Sequence, residues 1–479
     1  MAEAQKRFDF DLAIIGGGSA GYAAARTAAA EGLKTVVIEG GVEVGGLCIL
    51  RGCMPTKALL YAAEVLHLAT HARAWGVHAP DVSFKFGEVM RRKNALIKEF
   101  ADFRQQQLAS GNFEFLRAHA RFVDPHRLEL ASVNPGKAKL RSLTARHFLI
   151  ATGSSIAPFP LAQLAELDCL NSDTALKLKR LPRSLIVLGG GAVAVEYAQF
   201  FARFGVKVTM IQRSPHILHE CDFDAAGELE AVFRREGIQL YTSTRLLGAR
   251  RAAAQKEVTF AHNKQKVRVR AEEVFFGLGR RPNIAGLGLE AIGVRLESNR
   301  IVTDANMRSS VPHIFAAGDC TSPNEIVHLA VQQGEIAAHN AAHPKRLREM
   351  DYRLLAEVIF TEPQIATVGL TEKRAHLLDI PYQAASYRFA DHGKSLIMEA
   401  RDGFVKLLAD PGTGEIIGGC CVGPHGGELI HEIIVAMGSR LTVHQLAALP
   451  HYHPTLAEIW TYPAEELAAK IPDGAKRHG

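Results

Sequence analysis

Two segments of the chain repeat one pattern of glycines and apolar residues, and this repeat constrains the fold more than any other feature. A constant offset of 173 positions places Gly16 on Gly189 and Gly18 on Gly191. In each copy an apolar run precedes the glycines, and a helical pattern and a second apolar run follow them. Each copy therefore predicts a strand, a tight turn, a helix and a second strand, which is one unit of a parallel α/β sheet.

The glycines of both copies form dinucleotide-binding motifs, G-x-G-x-x-G in the first and G-x-G-x-x-A in the second. They are Gly16, Gly18 and Gly21, then Gly189, Gly191 and Ala194. The first glycine allows the turn, the second lets the backbone approach a pyrophosphate, and the third small residue lets the helix pack on the strand. Because a helix N-terminus presents free N–H groups to phosphate, the repeat predicts two dinucleotide sites.

The residue that ends the second strand distinguishes the two predicted sites. Glu39, in the first copy, can accept hydrogen bonds from a ribose diol such as that of FAD or NAD. In the second copy this position is Gln212, which Arg213 follows, so no carboxylate repels a 2′-phosphate and a guanidinium can bind one. The second site is therefore predicted to prefer NADPH over NADH. The alternative is that Arg213 is only a solvated charge at the end of a strand.

A Cys-x4-Cys pair, Cys48 and Cys53, follows the first nucleotide-binding unit. No second Cys or His pair stands at ligand spacing, so no metal site is expected. Pro55 and the apolar periodicity after it predict that a helix begins here, and its dipole would favour a thiolate at Cys53. Lys57 would add a positive charge on the same helical face. The pattern predicts a reactive thiol pair, and the alternative is two buried structural cysteines.

Composition and charge exclude several classes of protein. The 479 residues are 47% hydrophobic and 22% charged, and the net charge is only +6. Neither disorder nor a dedicated nucleic-acid or membrane surface is expected. Seven cysteines at irregular spacing do not resemble a secreted disulfide framework. The first ten residues contain no apolar run typical of a secretory signal, and no apolar run is long enough for a membrane span, so we expect a cytoplasmic protein.

The segment GGLCILRGCMPTK, which contains the cysteine pair, resembles the active-site signature of the class I pyridine nucleotide-disulfide oxidoreductases. That family includes dihydrolipoamide dehydrogenase, glutathione reductase and mercuric reductase. The resemblance extends over nearly the whole chain through further motifs. These are GGGSAG at 16–21, ATG at 151–153, GGGAVAVE at 189–196, GLGRRPN at 277–283, AAGD at 316–319 and HPTLAE at 453–458.

The repeat and the resemblance together predict an α/β protein with two Rossmann-like dinucleotide-binding domains and a C-terminal α+β dimerisation domain. We expect the first part of the FAD-binding domain, with the redox cysteines, at 1–155 and the NAD(P)-binding domain at 156–285. The second part of the FAD-binding domain is expected at 286–350, and the dimerisation domain at 351–479. Residues from about 57 to 122 are expected to be mostly helical, because Ala, Leu, Lys and Gln recur there at helical spacing.

The resemblance implies catalytic roles near the cysteine pair. Cys48 matches the interchange thiol that attacks a substrate disulfide, and Cys53 matches the thiol that lies against the flavin. Lys57 and Glu196 match an ion pair near the reactive edge of the flavin. The motifs also imply cofactor ligands. For FAD these are Gly16, Gly18, Gly21, Glu39, Gly46, Lys57, Gly153 and Asp319, and for NAD(P) they are Gly189, Gly191, Ala194, Arg213 and Arg280.

The motif HPTLAE implies the acid–base group. His453 matches the catalytic His of the family and Glu458 the carboxylate that orients it. In the family this His reaches the cysteine pair of the other subunit, so a homodimer is implied. Thr455 and Glu458 also fit a capping box at a helix start, and we favour the pairing of Glu458 with His453.

The resulting hypothesis is a dihydrolipoamide dehydrogenase-like enzyme that passes electrons between NAD(P)H, FAD, the Cys48–Cys53 disulfide and an external small-molecule or protein-bound disulfide. The alternative is a flavin reductase of the same fold that acts on a metal ion, a quinone or another acceptor, like a mercuric reductase, a transhydrogenase or an oxidase. The end of the chain, IPDGAKRHG, contains no cysteine pair of the kind that mercuric reductases carry. Cys420 and Cys421 lie in an apolar run and are predicted to be buried.

Overall fold

The computed structural model describes residues 8–133, 141–321 and 323–472. The first seven and the last seven residues lie outside this description. The expectations about a secretory signal and about a cysteine pair at the end of the chain depend in part on those residues. Within the described ranges, no helix is both long and apolar enough to cross a membrane.

The chain divides into two compact units. The described residues of Met1–Thr56, Arg91–Pro158 and Gly279–Met350 form unit 1, and those of Lys57–Met90, Phe159–Leu278 and Asp351–Gly479 form unit 2. The four-segment division expected from the sequence is a finer partition of the chain, and it stays a prediction.

The strands of the described chain are numbered in order. They are β1 Phe10–Ile15, β2 Thr35–Glu39, β3 Glu114–Asp124, β4 Arg127–Ser132, β5 Arg141–Ile150, β6 Ser154–Ile156, β7 Ser184–Leu188, β8 Lys207–Ile211, β9 Gln239–Tyr241, β10 Arg245–Ala252, β11 Gln255–His262, β12 Gln265–Ala271, β13 Glu273–Phe276, β14 Arg280–Pro282, β15 Leu296–Glu297, β16 Arg300–Ile301, β17 Ile314–Ala316, β18 Ala356–Ile359, β19 Gln364–Gly369, β20 Gln383–Arg388, β21 Phe404–Ala409 and β22 Ile416–Gly423.

The helices are numbered in the same way. The α-helices are α1 Ser19–Ala30, α2 Gly46–Leu50, α3 Cys53–His71, α4 Phe86–Ala109, α5 Ala162–Ala165, α6 Ser172–Ala175, α7 Ala192–Arg203, α8 Phe223–Arg235, α9 Val327–Ala342, α10 Glu372–Leu377, α11 Gly393–Ile397, α12 Gly426–Gly438, α13 Val443–Ala448 and α14 Thr461–Lys470. Short 3-10 helices lie at Ala72–Trp75, Glu290–Ile292, Gly318–Cys320, Tyr352–Leu354, Phe389–Asp391 and Ala457–Trp460.

Unit 1 is built on a parallel sheet in the order β3-β2-β1-β5-β17. The second half of β3 turns away to pair antiparallel with β4, which pairs antiparallel with the first half of β5. Helices α1 and α9 pack closely, because a Cβ at Gly334 would lie only 2.3 Å from the carbonyl oxygen of Ala20. The apolar residues of β1, β2 and β5 are buried, so the sheet and these helices share a hydrophobic core.

The expectation of mostly helical structure from 57 to 122 is wrong at its end, because β3 begins at Glu114. Helix α4 ends at Ala109, and the next residues pair with the open edge of β2, where Glu114 stands opposite Val36. The backbone N–H and C=O groups of that edge need hydrogen-bond partners. A neighbouring strand offers such partners along its length, whereas a helix uses its backbone groups internally. The alternation of buried and exposed side chains at Ala118 and His119 follows the period of a strand.

Among its described residues, unit 2 contains two larger sheets of different kinds and a three-stranded antiparallel sheet in the order β10-β11-β12. The first is parallel, in the order β9-β8-β7-β13, and α7 crosses from β7 to β8. The second is antiparallel, in the order β18-β19-β22-β21-β20, and α12, α13 and α14 share its core. Cys420 and Cys421 lie in β22 and are buried, as predicted. The predicted fold class of two Rossmann-like domains and a C-terminal α+β domain is confirmed.

Candidate active site

The first glycine turn joins β1 to α1 in unit 1. Gly16 has a φ of +109°, and a Cβ at this position would lie 2.3 Å from the carbonyl oxygen of Ala151. A Cβ at Gly21 would lie 1.8 Å from the carbonyl oxygen of Gly16. In the described chain no side chain caps the start of α1 after Gly18. The turn therefore requires glycine, and the N–H groups at the start of the helix are open to a phosphate.

Glu39 lies at the end of β2 and faces the same turn. Its Oε2 accepts a hydrogen bond from the N–H of Gly17 at 2.9 Å, and its Oε1 accepts one from the N–H of Gly41 at 2.6 Å. A Cβ at Gly46 would lie 2.8 Å from the Cα of Gly18, so the backbone closes around the turn without side chains. This arrangement fits the pyrophosphate and ribose of a dinucleotide.

Asp319 belongs to a hydrogen-bonded chain in unit 1. The hydroxyl of Ser154 donates to Asp319 Oδ2 at 2.7 Å, and Arg280 Nε donates to Ser154 Oγ at 2.8 Å. Gly153, just before Ser154, has a φ of +69°, which a turn at this point requires. The structure thus brings Asp319, Gly153 and Arg280 together. The other residues predicted to bind NAD(P) lie in unit 2, and a nicotinamide-side role for Arg280 stays a prediction.

The second glycine turn, in unit 2, repeats the geometry of the first. Gly189 has a φ of +110°, and a Cβ there would lie 2.4 Å from the carbonyl oxygen of Gly277. Helix α7 begins after Gly191 without a capping side chain among the described residues. Ala194 takes the place of the third glycine, and a Cβ at Gly277 would lie 3.0 Å from the Cβ of Ala194. A single methyl group therefore fills this space.

Gln212 occupies the place of Glu39 but makes a different hydrogen bond. Its Oε1 accepts from the N–H of Arg213 at 3.0 Å, and its side chain lies against Gly190. The side chain of Arg213 is exposed, and no hydrogen bond or ion pair joins its guanidinium to another described residue. The second site therefore has a neutral amide and an available cation where the first has a carboxylate.

Cys48 and Cys53 lie side by side in unit 1, and neither forms a disulfide in the structure. Cys48 is in α2, and α3 begins at Cys53, as the sequence predicted. A hydrogen bond to Cys53 and burial raise the pKa of the Cys48 thiol. The two sulfur atoms are thus within reach of one another, and Cys48 needs a base to become a nucleophile at neutral pH.

Lys57 and Glu196 form an ion pair in unit 2. Lys57 Nζ lies 2.9 Å from both carboxylate oxygens of Glu196, which is 4% exposed. The backbone N–H of Phe360 donates to Glu196 Oε1 at 3.0 Å, and the Lys57 ammonium lies 4.4 Å from the centre of the Phe360 ring. A buried carboxylate with this many donors holds its partner in one position. The role of the pair beside a flavin stays a prediction.

Glu458 serves mainly the side chain of His453. Its Oε2 lies 2.8 Å from His453 Nδ1. The N–H of Glu458 donates to Thr455 Oγ1 at 3.4 Å, which is one of the two hydrogen bonds of a capping box and a long one. The Glu458 carboxylate, which would make the second, contacts His453 instead. The side chain of His453 is 77% exposed and that of Glu458 is 10% exposed. A buried carboxylate thus orients an exposed imidazole.

Sequence reasoning missed His392, which contacts the other oxygen of Glu458. His392 Nε2 lies 3.2 Å from Glu458 Oε1, and His392 Nδ1 lies 2.8 Å from Ser395 Oγ. The residue stands 66 positions before Glu458, in a segment that matches none of the motifs. A lone His in a loop gives no signal of such a contact.

A cavity of about 260 Å³ lies beside the Lys57–Glu196 pair in unit 2. Its lining includes Tyr61 of α3, Arg203 of α7 and Glu362. Burial raises the pKa of Glu362 to about 7, so this carboxyl group titrates near neutral pH. Sequence reasoning also missed Glu362, because nothing in its local sequence indicates burial.

Two family profiles match the chain. The profile described as pyridine nucleotide-disulphide oxidoreductase matches residues 10–334, and that of the dimerisation domain of the same group matches residues 355–464. The chain belongs to the pyridine nucleotide-disulphide oxidoreductase family. It is therefore a flavin-dependent oxidoreductase. Membership of the family supports FAD as its cofactor. The match to the dimerisation domain supports a homodimer.

Relatives in this family are similar over almost their whole lengths. A dihydrolipoyl dehydrogenase of Bacillus subtilis is 33% identical over 484 residues, which cover 98% of this chain and 99% of that protein. The mercuric reductase of Streptomyces lividans is 35% identical over 470 residues, 98% of each chain. The crystal structure of LpdA from Mycobacterium tuberculosis matches with a TM-score of 0.86 at 29% identity, covering 95% of this chain and 99% of that one.

Proposed function

We propose that this disulfide oxidoreductase is dihydrolipoamide dehydrogenase-like and transfers two electrons between NADPH and a small-molecule or protein-bound disulfide. The observation that carries the proposal is the pair of adjacent thiols, Cys48 in α2 and Cys53 at the start of α3. FAD, when bound, supplies the two-electron chemistry that connects a nicotinamide with a thiol pair. A cytoplasmic location remains part of the proposal.

The residues of the first glycine turn fit FAD. The N–H groups at the start of α1 would hold the pyrophosphate, and Glu39 would accept hydrogen bonds from the adenosine ribose. We assign Gly46, Gly153 and Asp319 to the same cofactor, because Gly46 lets the backbone close around the first turn, the Cβ position of Gly153 is open, and Asp319 offers an acceptor.

The thiol pair would reduce the external disulfide by exchange. The Cys48 thiolate attacks one substrate sulfur, which forms a mixed disulfide and releases the other substrate sulfur as a thiolate. Cys53 then attacks Cys48 Sγ, which releases the second substrate thiolate and leaves a Cys48–Cys53 disulfide. The substrate gains the two electrons that the cysteine pair loses, and the reverse sequence oxidises a dithiol.

His453 would supply the proton transfer in this exchange. Since the pKa of Cys48 is raised, its thiol needs a base, and the released thiolate needs an acid. An imidazole whose Nδ1 is held by Glu458 presents Nε2 for both tasks. We propose, from the resemblance to the family, that His453 of one subunit serves the cysteine pair of the other.

Replacement of Cys48 tests the proposed function. Cys48→Ser should lower the turnover of lipoamide or another disulfide by more than about 10³-fold, because no sulfur remains to form the mixed disulfide. Cys221→Ser, which changes a thiol outside the proposed site, should leave turnover unchanged. Steady-state assays with NADPH and NADH give both numbers. Disulfide reduction that persists in Cys48→Ser would contradict the proposal.

A reductase that acts on a metal ion or a quinone is the second candidate, because the chain is 35% identical to a mercuric reductase. The same variant distinguishes the two candidates. Reduction of a quinone needs no mixed disulfide and should survive in Cys48→Ser. If quinone or metal-ion reduction is fast in the wild-type protein and disulfide turnover is negligible, the second candidate replaces the first.

A further inference from the structure

Glu458 is held between two imidazoles in unit 2. Its Oε2 faces His453 Nδ1 at 2.8 Å, and its Oε1 faces His392 Nε2 at 3.2 Å. The two imidazoles have opposite environments. The side chain of His453 is 77% exposed, whereas that of His392 is completely buried. Only His453 is therefore placed to meet a substrate.

Hydrogen-bond accounting assigns one tautomer to His392. The hydroxyl of Ser395 donates to Nδ1, and the N–H at Nε2 donates to Glu458 Oε1. This arrangement satisfies each polar group of the buried set with a neutral imidazole. Burial lowers the pKa of His392, which favours the same neutral form.

Among the described residues, the groups around His392 come from α11, α14, β20 and the 3-10 helix before α14. Ser395 belongs to α11, and Glu458 lies in the 3-10 helix that precedes α14. From α14, Tyr462 presents its ring edge-on at 6.3 Å between centroids, and Tyr387 of β20 stacks on Tyr462 at 4.0 Å. Glu458 and His453 are the charged or chargeable partners that act on His392 electrostatically.

We propose that His392 is a positioning residue, which donates a hydrogen bond to Glu458, fixes the carboxylate with Oε2 toward His453, and reduces the proton affinity of His453. This inference rests on the proposed function, in which His453 exchanges protons with thiols. A carboxylate that already accepts one strong hydrogen bond holds less negative charge for a second donor. Loss of the His392 donor is therefore expected to change the pH dependence of steps in which His453 acts as a base.

Two substitutions of His392 separate this role from general structural support. His392→Gln places an amide N–H near the position of Nε2 and keeps a donor to Glu458, whereas His392→Leu removes the donor. We expect His392→Leu to raise the midpoint of the acidic limb of the kcat profile by up to about one pH unit and to lower kcat about tenfold. His392→Gln should restore most of both values. His444→Leu, a matched change on α13 away from Glu458, should leave the profile unchanged.

The measurements are pH profiles of dithiol oxidation, with quinone reduction by each variant as the check that the protein is folded. An unshifted midpoint in a folded His392→Leu variant would overturn the inference, and so would equal shifts in His392→Leu and His392→Gln. His453→Gln keeps this failure distinct from failure of the proposed function. If His453→Gln does not lower disulfide turnover, the proposed function fails. If it does and His392→Leu has no effect, only the role of His392 fails.

Discussion

At the scale of single residues, the two nucleotide turns differ in the side chain that faces them. Glu39 accepts a hydrogen bond from the N–H of Gly17, whereas Gln212 accepts one from the N–H of Arg213. The guanidinium of Arg213 is exposed. A carboxylate accepts hydrogen bonds from a ribose diol and repels a 2′-phosphate. A neutral amide beside a guanidinium does not repel that phosphate. The proposed preference for NADPH at the second turn therefore rests on two adjacent side chains, since the backbone geometry of the two turns is the same.

Charge reversal at Arg213 tests this choice. Arg213→Glu should weaken the binding of NADPH at least tenfold and that of NADH much less, because only NADPH carries a 2′-phosphate. Anaerobic titration of the visible spectrum with each nucleotide measures both affinities. Arg251→Glu makes the same charge change at an exposed position on β10 and should affect neither nucleotide. Equal losses for both nucleotides in Arg213→Glu would mean that this residue does not contact the phosphate.

At the scale of secondary-structure elements, each glycine turn delivers a helix N-terminus to the end of a parallel sheet. The turns at Gly16 and Gly189 have φ values of +109° and +110°, and each leaves no room for a Cβ beside a neighbouring carbonyl. The helices that follow pack closely on their sheets because their third motif positions are Gly21 and Ala194. Strand, turn and helix thus form one unit, in which a single added carbon would displace the helix end.

Gly16→Ala tests the first of these units. A methyl group 2.3 Å from the carbonyl oxygen of Ala151 must move the turn, so the purified variant should contain less than about a tenth of the wild-type flavin. Gly32→Ala is the matched control, because Gly32 also has a positive φ, +79°, but nothing lies within 4 Å of its Cβ position. The ratio of flavin to protein absorbance measures both. Full flavin content in Gly16→Ala would show that this turn does not hold the cofactor.

At the scale of the whole molecule, the chemistry is divided between two units with separate hydrophobic cores. Unit 1 carries the cysteine pair and the first nucleotide turn, and unit 2 carries the second turn, the Lys57–Glu196 pair and His453. The match to the dimerisation domain at residues 355–464 includes His453. In the proposed mechanism, this imidazole serves the cysteine pair of a second chain.

Mixed dimers test whether the site is shared between subunits. Cys48→Ser and His453→Gln should each lack disulfide turnover alone. If the subunits are dissociated and mixed in equal amounts, about half of the dimers are hybrids and each hybrid has one intact site, so about a quarter of the wild-type turnover should return. A mixture of either variant with itself is the control. No recovery in verified hybrids would place both groups in one subunit.

The stability of the molecule should depend on pH through Glu362. Burial raises its pKa to about 7 from the 4.5 that is ordinary for a glutamate, so the folded protein keeps a proton that the unfolded chain releases between these pH values. The resulting stability is complete below about pH 4.5 and is lost as the pH rises through about 7. Glu362→Gln should therefore raise the free energy of unfolding by about 2 kcal/mol at pH 8, with little change at pH 4.5. Denaturant unfolding at both values measures this, and Glu465→Gln, exposed on α14, should show no such difference.

The sequence determined the parts of the molecule whose signals are local. The glycine spacing determined both strand–turn–helix units, since φ and steric limits act on adjacent residues. The Cys-x4-Cys segment determined the start of α3, and the resemblance named Lys57, Glu196, His453 and Glu458. The prediction of helical structure up to residue 122 was wrong at β3, because these residues pair with the open edge of β2.

Only the tertiary structure decided which distant side chains meet. His392 and Glu362 have no local signal, because burial and hydrogen-bond partners come from elements far away in the chain. The same holds for Arg280, which joins Ser154 and Asp319 in unit 1. Which side chains meet across long sequence separations is decided by how the elements pack, and the local sequence around each residue does not reveal it. The arrangement around Glu458 therefore became visible only in the fold.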